Sequence, residues 1–143
     1  MAKTRASKKG GVWAVIVAGG SSRRMGFNKL TANLEGLPVL GWSVSAFNDC
    51  PVIDAIVLVC AAGARDELEK IARTAAPTKL KAVVAGGAHR HLSVAEGLEA
   101  VAPDAAMIAV HDAARPLVGC AMIERCLETA HNTGAAACAR RVN

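Results

Sequence analysis

Val12-Trp13-Ala14-Val15-Ile16-Val17-Ala18-Gly19-Gly20-Ser21-Ser22-Arg23-Arg24-Met25-Gly26-Phe27-Asn28-Lys29 is the stretch whose reading decides the fold. Val12 to Ala18 is a continuous apolar run, far too short to cross a bilayer. Bounded by Gly19-Gly20, it predicts a strand buried inside a parallel sheet. The polar, glycine-containing loop from Gly19 to Lys29 then lies at the carboxyl end of that strand.

Working outward, Leu30 to Leu34 predicts a short edge segment and Glu35-Gly36-Leu37-Pro38 a turn. Val39 to Phe47 has Leu40, Val44 and Phe47 at helical spacing. Ala55 to Cys60 is a second buried strand, and Arg65 to Thr74 an amphipathic helix with Leu68, Ile71 and Ala72 on one face. Lys81 to Ala85 is a third strand, closed by Gly86-Gly87. Ser93 to Val101 is a helix with Val94, Leu98 and Val101 directed inward. Ala106 to Val110 is a fourth strand, His111 to Pro116 its exit loop, Ala121 to Ala130 a helix leaving at Gly134, and Ala135 to Ala139 a further strand. Strands alternating with helices predict an α/β fold: a doubly wound, mostly parallel sheet with helices on both faces. No repeat or low-complexity linker divides residues 12–143, which are read as one domain.

Composition narrows the function. The 143 residues are 52% hydrophobic, with two Trp, two Phe and no Tyr, so Ala, Val, Leu and Ile must build the core. Too few aromatics are present to stack single-stranded nucleic acid. Part of the net charge of +5 sits in Lys3, Arg5, Lys8 and Lys9, which predicts a disordered basic tail over residues 1–11, with a nucleic-acid arm as the weaker alternative. That tail has no signal-peptide core, and a cytoplasmic location is the default expectation, with neither membrane nor nucleic acid as partner. The five cysteines, 50, 60, 120, 126 and 138, form no CxxC pair and predict buried, reduced thiols. Histidines 89, 91, 111 and 131 complete no metal-ligand pattern with them.

In such a sheet ligands bind beyond the carboxyl ends of the strands. Three segments fall there: Gly19 to Lys29, Gly86 to Ser93, and His111 to Pro116. In the first, glycines let successive backbone N–H groups turn toward an anion, and Arg23, Arg24 and Lys29 add positive charge, so a polyphosphate is the natural guest. Neither the Walker A pattern nor GxGxxG is present. A tight turn carrying solvated arginines is the alternative. In the third, Asp112 at a strand end is placed to hold a divalent metal, and a helix cap or turn residue is the alternative.

The order AGG, polar pair, Arg, Met-Gly, Lys resembles the signature loop of sugar-nucleotide pyrophosphorylases and related nucleotidyltransferases. His111-Asp112-Ala113-Ala114-Arg115-Pro116 resembles the HDAARP motif of the 2-C-methyl-D-erythritol 4-phosphate cytidylyltransferases, of the non-mevalonate isoprenoid pathway. Gly86-Gly87-Ala88-His89-Arg90-His91-Leu92-Ser93-Val94 is similar to that family's GGxxRxxSV segment. The resemblance spans Val12 to Asn143. It implies a Rossmann-like nucleotide-diphospho-sugar transferase fold, with CTP and methylerythritol phosphate as substrates and Mg²⁺ as cofactor.

Position by position, it implies that Ala18, Gly19 and Gly20 contact the ribose and triphosphate through backbone, and that Arg24 and Lys29 are the catalytic cations at the α-phosphate. It implies that Gly87, Ala88 and Ser93 hold the base and Asp112 binds Mg²⁺. Ala113 and Arg115 border the acceptor, and Arg90 supports its loop. Two departures stand out: Asn28 where the family often has Pro, and Ala88 where a polar or acidic residue is common. The family's further metal-binding Asp, acceptor-side Lys and projecting dimer arm are expected beyond Asn143, so the fold is expected to be incomplete at its C-terminus. The alternatives are another sugar-phosphate or molybdenum-cofactor nucleotidyltransferase, and a nucleotide-binding module without catalysis.

Overall fold

The computed structural model describes residues 10–19 and 28–142. Of the predicted tail, residues 1–9 lie outside the described residues. Six strands and four helices follow in order: β1 (Val12–Ala18), β2 (Asn33–Leu34), β3 (Leu37–Pro38), α1 (Val39–Asn48), β4 (Ala55–Cys60), α2 (Arg65–Ala75), β5 (Leu80–Ala85), α3 (Arg90–Glu99), β6 (Met107–Asp112) and α4 (Cys120–Thr133). A four-stranded parallel sheet runs β5-β4-β1-β6, and β2 with β3 forms a small antiparallel hairpin.

The sequence periodicity explains the layers. β1 and β4 are central and their runs have no polar face, as burial on both sides demands. On one face, Ala14, Ile16, Ile56 and Leu58 meet Leu40, Val44, Leu68 and Ile123 from α1, α2 and α4. On the other, Val15, Val57 and Val59 meet Val101 beyond α3. Fully burying each Leu, Ile or Val is worth roughly 1.5–3 kcal/mol, so this double burial is what holds the sheet. The chain steps from β1 to β4 to β5 in one direction, then crosses back to place β6 beside β1. Crossovers of the usual right hand put the helix of the return step on the opposite face, which is where α3 lies.

Four expectations are corrected. First, α3 begins at Arg90, three residues before Ser93. Its inward face is Ser93 and Gly97, with Val101 just beyond, while Leu98 is exposed. Gly97 lets the helix sit directly on the sheet: an added Cβ would collide with Val15 and lie 2.8 Å from Val59 Cγ2. Second, the fourth strand extends through His111 and Asp112 and is an edge strand, with Ile108 and Val110 exposed. Third, residues 135–139 form no strand. A strand exists only by pairing, and no ladder engages this segment.

Fourth, the thiols are not uniformly buried and reduced. Cys50, after α1, and Cys120, opening α4, form a disulfide with Cα atoms 5.2 Å apart across a separation of 70 residues. No spacing rule reveals that pairing; it exists because two helix ends meet over one face of the sheet. Cys60 is buried as expected, and burial pushes its thiol up to about 11. Cys126 is half-buried, and burial, followed by the influence of the exposed Cys138, pushes its thiol up. No helix among the described residues is long and apolar enough to cross a membrane.

Candidate active site

The sheet order reverses between β1 and β6, so the crevice outside their carboxyl ends is the topological switch point where open α/β sheets take ligands. Val17 pairs with Asp112 in the register, which sets the ends of β1 and β6 side by side. Ala18 closes β1, buried and paired with Cys60 of β4. The three predicted segments meet here through two differently built corners.

The first corner is steric. The Ser93 hydroxyl, on the inward face of α3, is 1% exposed and donates to Gly87 O at 3.4 Å. It fills the space between two strand ends: an added Cβ would stand 2.8 Å from Ser93 Oγ at Gly19 and 2.6 Å at Gly86. At Gly87 it would run into Leu92. Real Cβ atoms do not sit that close, so glycine is required at these close approaches. The first and second loops are therefore in contact through Ser93. Ala88 is exposed beside them.

The second corner is electrostatic. Arg90, in the first turn of α3, donates from Nε (3.0 Å) and Nη2 (2.8 Å) to Asp112 Oδ1, and Arg115 Nε donates to Oδ2 at 3.1 Å. Burial by itself raises the Asp112 carboxyl; the hydrogen bond and charge of Arg90, followed by those of Arg115, outweigh it and hold the group below the usual carboxylate range. The second and third loops are joined by this ion pair. Both arginine side chains are well exposed, at 61% and 76%.

Two residues that sequence reading left without a role brace the third loop. Ser43, buried on α1, donates to Ala113 O at 2.6 Å. His111 Nε2 lies 3.0 Å from Arg115 O, and its ring lies 4.9 Å from that of Phe47. A carbonyl only accepts, so Nε2 carries the ring proton. Burial holds the His111 imidazole below its ordinary value, against the raising effects of the Arg115 carbonyl and Asp112. The Ser43 bond and the packing of His111 on Phe47 have no local sequence signal, since both depend on α1 and the third loop meeting across tens of residues.

The other site residues fall as follows. Lys29 is exposed on a turn in which Asn28 Oδ1 accepts from Leu30 N–H at 3.1 Å, and Leu30 is anchored in the core. Asn28 thus shapes the turn with its side chain, which accounts for its tolerance at a position where the resemblance leads one to expect Pro. Gly20 and Arg24 lie outside the described residues, as does Arg23. Ala113 is fully buried, with N–H given to Val17 O and C=O taken by Ser43. It anchors the loop and presents no surface to an acceptor. Ala114 and Arg115, which follow it, are exposed. A cavity of about 750 Å³ runs along the outer side of β6 toward α4, with Arg90, Asp112 and Arg115 among its lining residues and Ile108, Val110 and Met122 supplying apolar wall.

A magnesium ion takes one or two carboxylates together with water and substrate phosphate oxygens. Asp112 supplies one such carboxylate at a strand end, one-third exposed, beside two exposed guanidiniums suited to phosphate. That donor set fits a cation that arrives with a polyphosphate.

Known proteins share this fold and much of this sequence. A family model for 2-C-methyl-D-erythritol 4-phosphate cytidylyltransferase matches residues 12–143. The cytidylyltransferase of that name from Alkaliphilus oremlandii is 37% identical over 124 residues, covering 85% of this chain and 52% of its own length. A ribitol-5-phosphate cytidylyltransferase from Streptococcus agalactiae is 36% identical over 128 residues, covering 85% of this chain and 54% of its own. The crystal structure of the 4-diphosphocytidyl-2C-methyl-D-erythritol synthase from Anaerococcus prevotii superposes with a TM-score of 0.72 at 26% identity, covering 83% of this chain and 50% of that one. Rv0371c from Mycobacterium tuberculosis, solved as a complex with manganese, shares the fold, with a TM-score of 0.66 at 21% identity, covering 86% and 61%. The chain spans about half the length of the curated relatives it matches. With the family model extending from the first strand to the last residue, the chain belongs to the 2-C-methyl-D-erythritol 4-phosphate cytidylyltransferase family.

Proposed function

We propose that residues 12–143 are the nucleotide-binding part of an enzyme that transfers CMP from CTP to 2-C-methyl-D-erythritol 4-phosphate. An acceptor phosphate oxygen attacks the α-phosphorus of CTP, the bond to the β-phosphate breaks, and pyrophosphate leaves with the electron pair. The observation that carries the reading is the meeting of three strand-end loops at the switch point, through Ser93 against Gly19 and through Arg90 on Asp112.

The acceptor is already an anion, so no covalent intermediate is needed. The protein's work is positioning and charge neutralisation. Ala18, Gly19 and Gly20 would offer backbone to ribose and triphosphate. Gly87, Ala88 and Ser93 would edge a pocket small enough for a pyrimidine. Lys29 and Arg24 would balance charge at the α-phosphate, each worth roughly 2–4 kcal/mol in the transition state. Arg115 would face the acceptor phosphate, while Ala113 acts only as the loop's anchor. Asp112 would hold Mg²⁺, which when bound supplies charge neutralisation of the triphosphate.

A second acceptor is favoured by one observation: relatives named ribitol-5-phosphate cytidylyltransferases match about as well as those named for methylerythritol phosphate. Pyrophosphate release with CTP and each acceptor separates them. Release with methylerythritol phosphate, and with CTP over ATP, GTP and UTP, is expected. Release with ribitol 5-phosphate alone would replace the acceptor, and CTP binding no tighter than that of the other nucleotides would overturn the reading.

A further inference from the structure

Resting on the proposed role of Asp112, we infer that the Arg90–Asp112 fork is a charge latch, which excludes a cation from the carboxylate until an incoming polyphosphate draws the guanidinium away. Both carboxylate oxygens of Asp112 are engaged: Oδ1 accepts twice from Arg90 and Oδ2 once from Arg115. Two positive charges therefore face one negative charge, and a divalent cation approaching that carboxylate meets net repulsion. The cation can bind only where the guanidiniums have moved.

Three features make the movement easy. Both arginines are mostly exposed, so swinging them out leaves no hole in the core. Arg90 sits in the first turn of α3, where the helix dipole opposes a cation, so Asp112 and not the helix holds it in place. That first turn has no acidic residue and its N-cap, His89, makes no side-chain capping bond, so nothing else on α3 competes for the guanidinium. A phosphate oxygen is a partner of the same bidentate kind as a carboxylate. Arg90 is thus a positioning residue that acts through Asp112: it fixes the carboxylate's rotamer, links the second loop to the third, and makes cation binding depend on nucleotide. Nucleotide and metal then bind with positive coupling, which is reciprocal by necessity.

The test measures Mn²⁺ binding to the full chain by electron paramagnetic resonance of unbound Mn²⁺, with and without CTP, in wild type, Arg90→Ala, Arg90→Lys and Asp112→Asn. Without nucleotide, Arg90→Ala is expected to bind Mn²⁺ about fivefold tighter than wild type, the scale of an exposed ion pair. Its further gain on adding CTP should shrink by a similar factor. Arg90→Lys, which keeps the charge but loses the fork, should fall between. Mn²⁺ affinity unchanged or weakened in Arg90→Ala, while Asp112→Asn abolishes binding, would overturn the latch and leave the metal role of Asp112 standing. Wild-type Mn²⁺ binding in Asp112→Asn would instead remove that metal role, and the latch with it.

Discussion

The two corners of the site are built from opposite materials. Around Ser93 the chain is dry and crowded: a buried hydroxyl wedged against Gly19 and Gly86, on a helix pressed onto Val15 and Val59 at Gly97. Around Asp112 it is wet and charged: an edge-strand carboxylate shared by two exposed guanidiniums. The first corner selects by shape and should fail when volume is added. The second acts by charge and should fail when charge is removed, with little change in stability. Each substitution below tests whether that division is real.

The largest effect belongs to the crowded side. Gly97→Val would drive two methyl groups into Val15 and Val59 and should cost about 3 kcal/mol, read as a lower denaturant midpoint at unchanged slope. A loss below about 0.5 kcal/mol would mean that α3 is not seated as tightly as its glycine implies. Next come the charges. Asp112→Asn and Lys29→Ala should each slow turnover roughly a hundredfold, about 2.7 kcal/mol at the transition state. Asp112→Asn should move stability by no more than about 1 kcal/mol, because its ion pairs are partly exposed. Near-normal turnover in Lys29→Ala would refute the catalytic role proposed for it, and a large stability loss in Asp112→Asn would erase the contrast between the corners.

A smaller effect sharpens the steric side. Gly86→Ala places a methyl group 2.6 Å from Ser93 Oγ and 3.2 Å from Val59 Cγ1, and should cost roughly 1–2 kcal/mol. In a Ser93→Ala background the hydroxyl is gone and part of that cost should disappear. The double-mutant cycle therefore reads the contact itself. Strict additivity would mean that Ser93 does not fill the gap between the strand ends.

How much of this was legible in the sequence divides along the same line. β1 and β4 could be read to the residue because strands buried on both faces announce themselves as unbroken apolar runs. The start of α3 could not, since His89 is no capping residue and the first turn, Arg90-His91-Leu92, is exposed on every side. The 135–139 segment, Ala-Ala-Ala-Cys-Ala, is apolar, but alanine is depleted in strands and apolarity cannot supply a ladder partner. Within the site, the placement of Asp112 at the carboxyl end of a strand was readable from the apolar run before it. What was not readable is pairing: Arg90 with Asp112 at 22 residues, Ser43 with Ala113 at 70, and Cys50 with Cys120 at 70. Each is created by topology, and no local pattern encodes it.

The smallest expected effect is a pH dependence split between two neighbours at the end of β6, one half-buried and one charged. His111 is held below its ordinary value of 6.5 chiefly by burial, so the unfolded chain binds the proton more readily. Stability from this residue is therefore intact above about pH 6.5 and declines as pH falls from there toward the folded value. Asp112 is held below its ordinary 3.8, so its contribution is intact above that value and is lost only as pH falls below it, through the folded value. The two declines thus begin in separate windows. Denaturant titrations between pH 7.5 and 5 should show a decline in wild type that His111→Gln reduces, because glutamine can still donate to Arg115 O yet cannot be protonated. Asp112→Asn should leave that upper window untouched and change only the acid limb. An upper-window decline that survives undiminished in His111→Gln would mean that this imidazole does not cause it, and that its burial against Phe47 sets no pH dependence of stability.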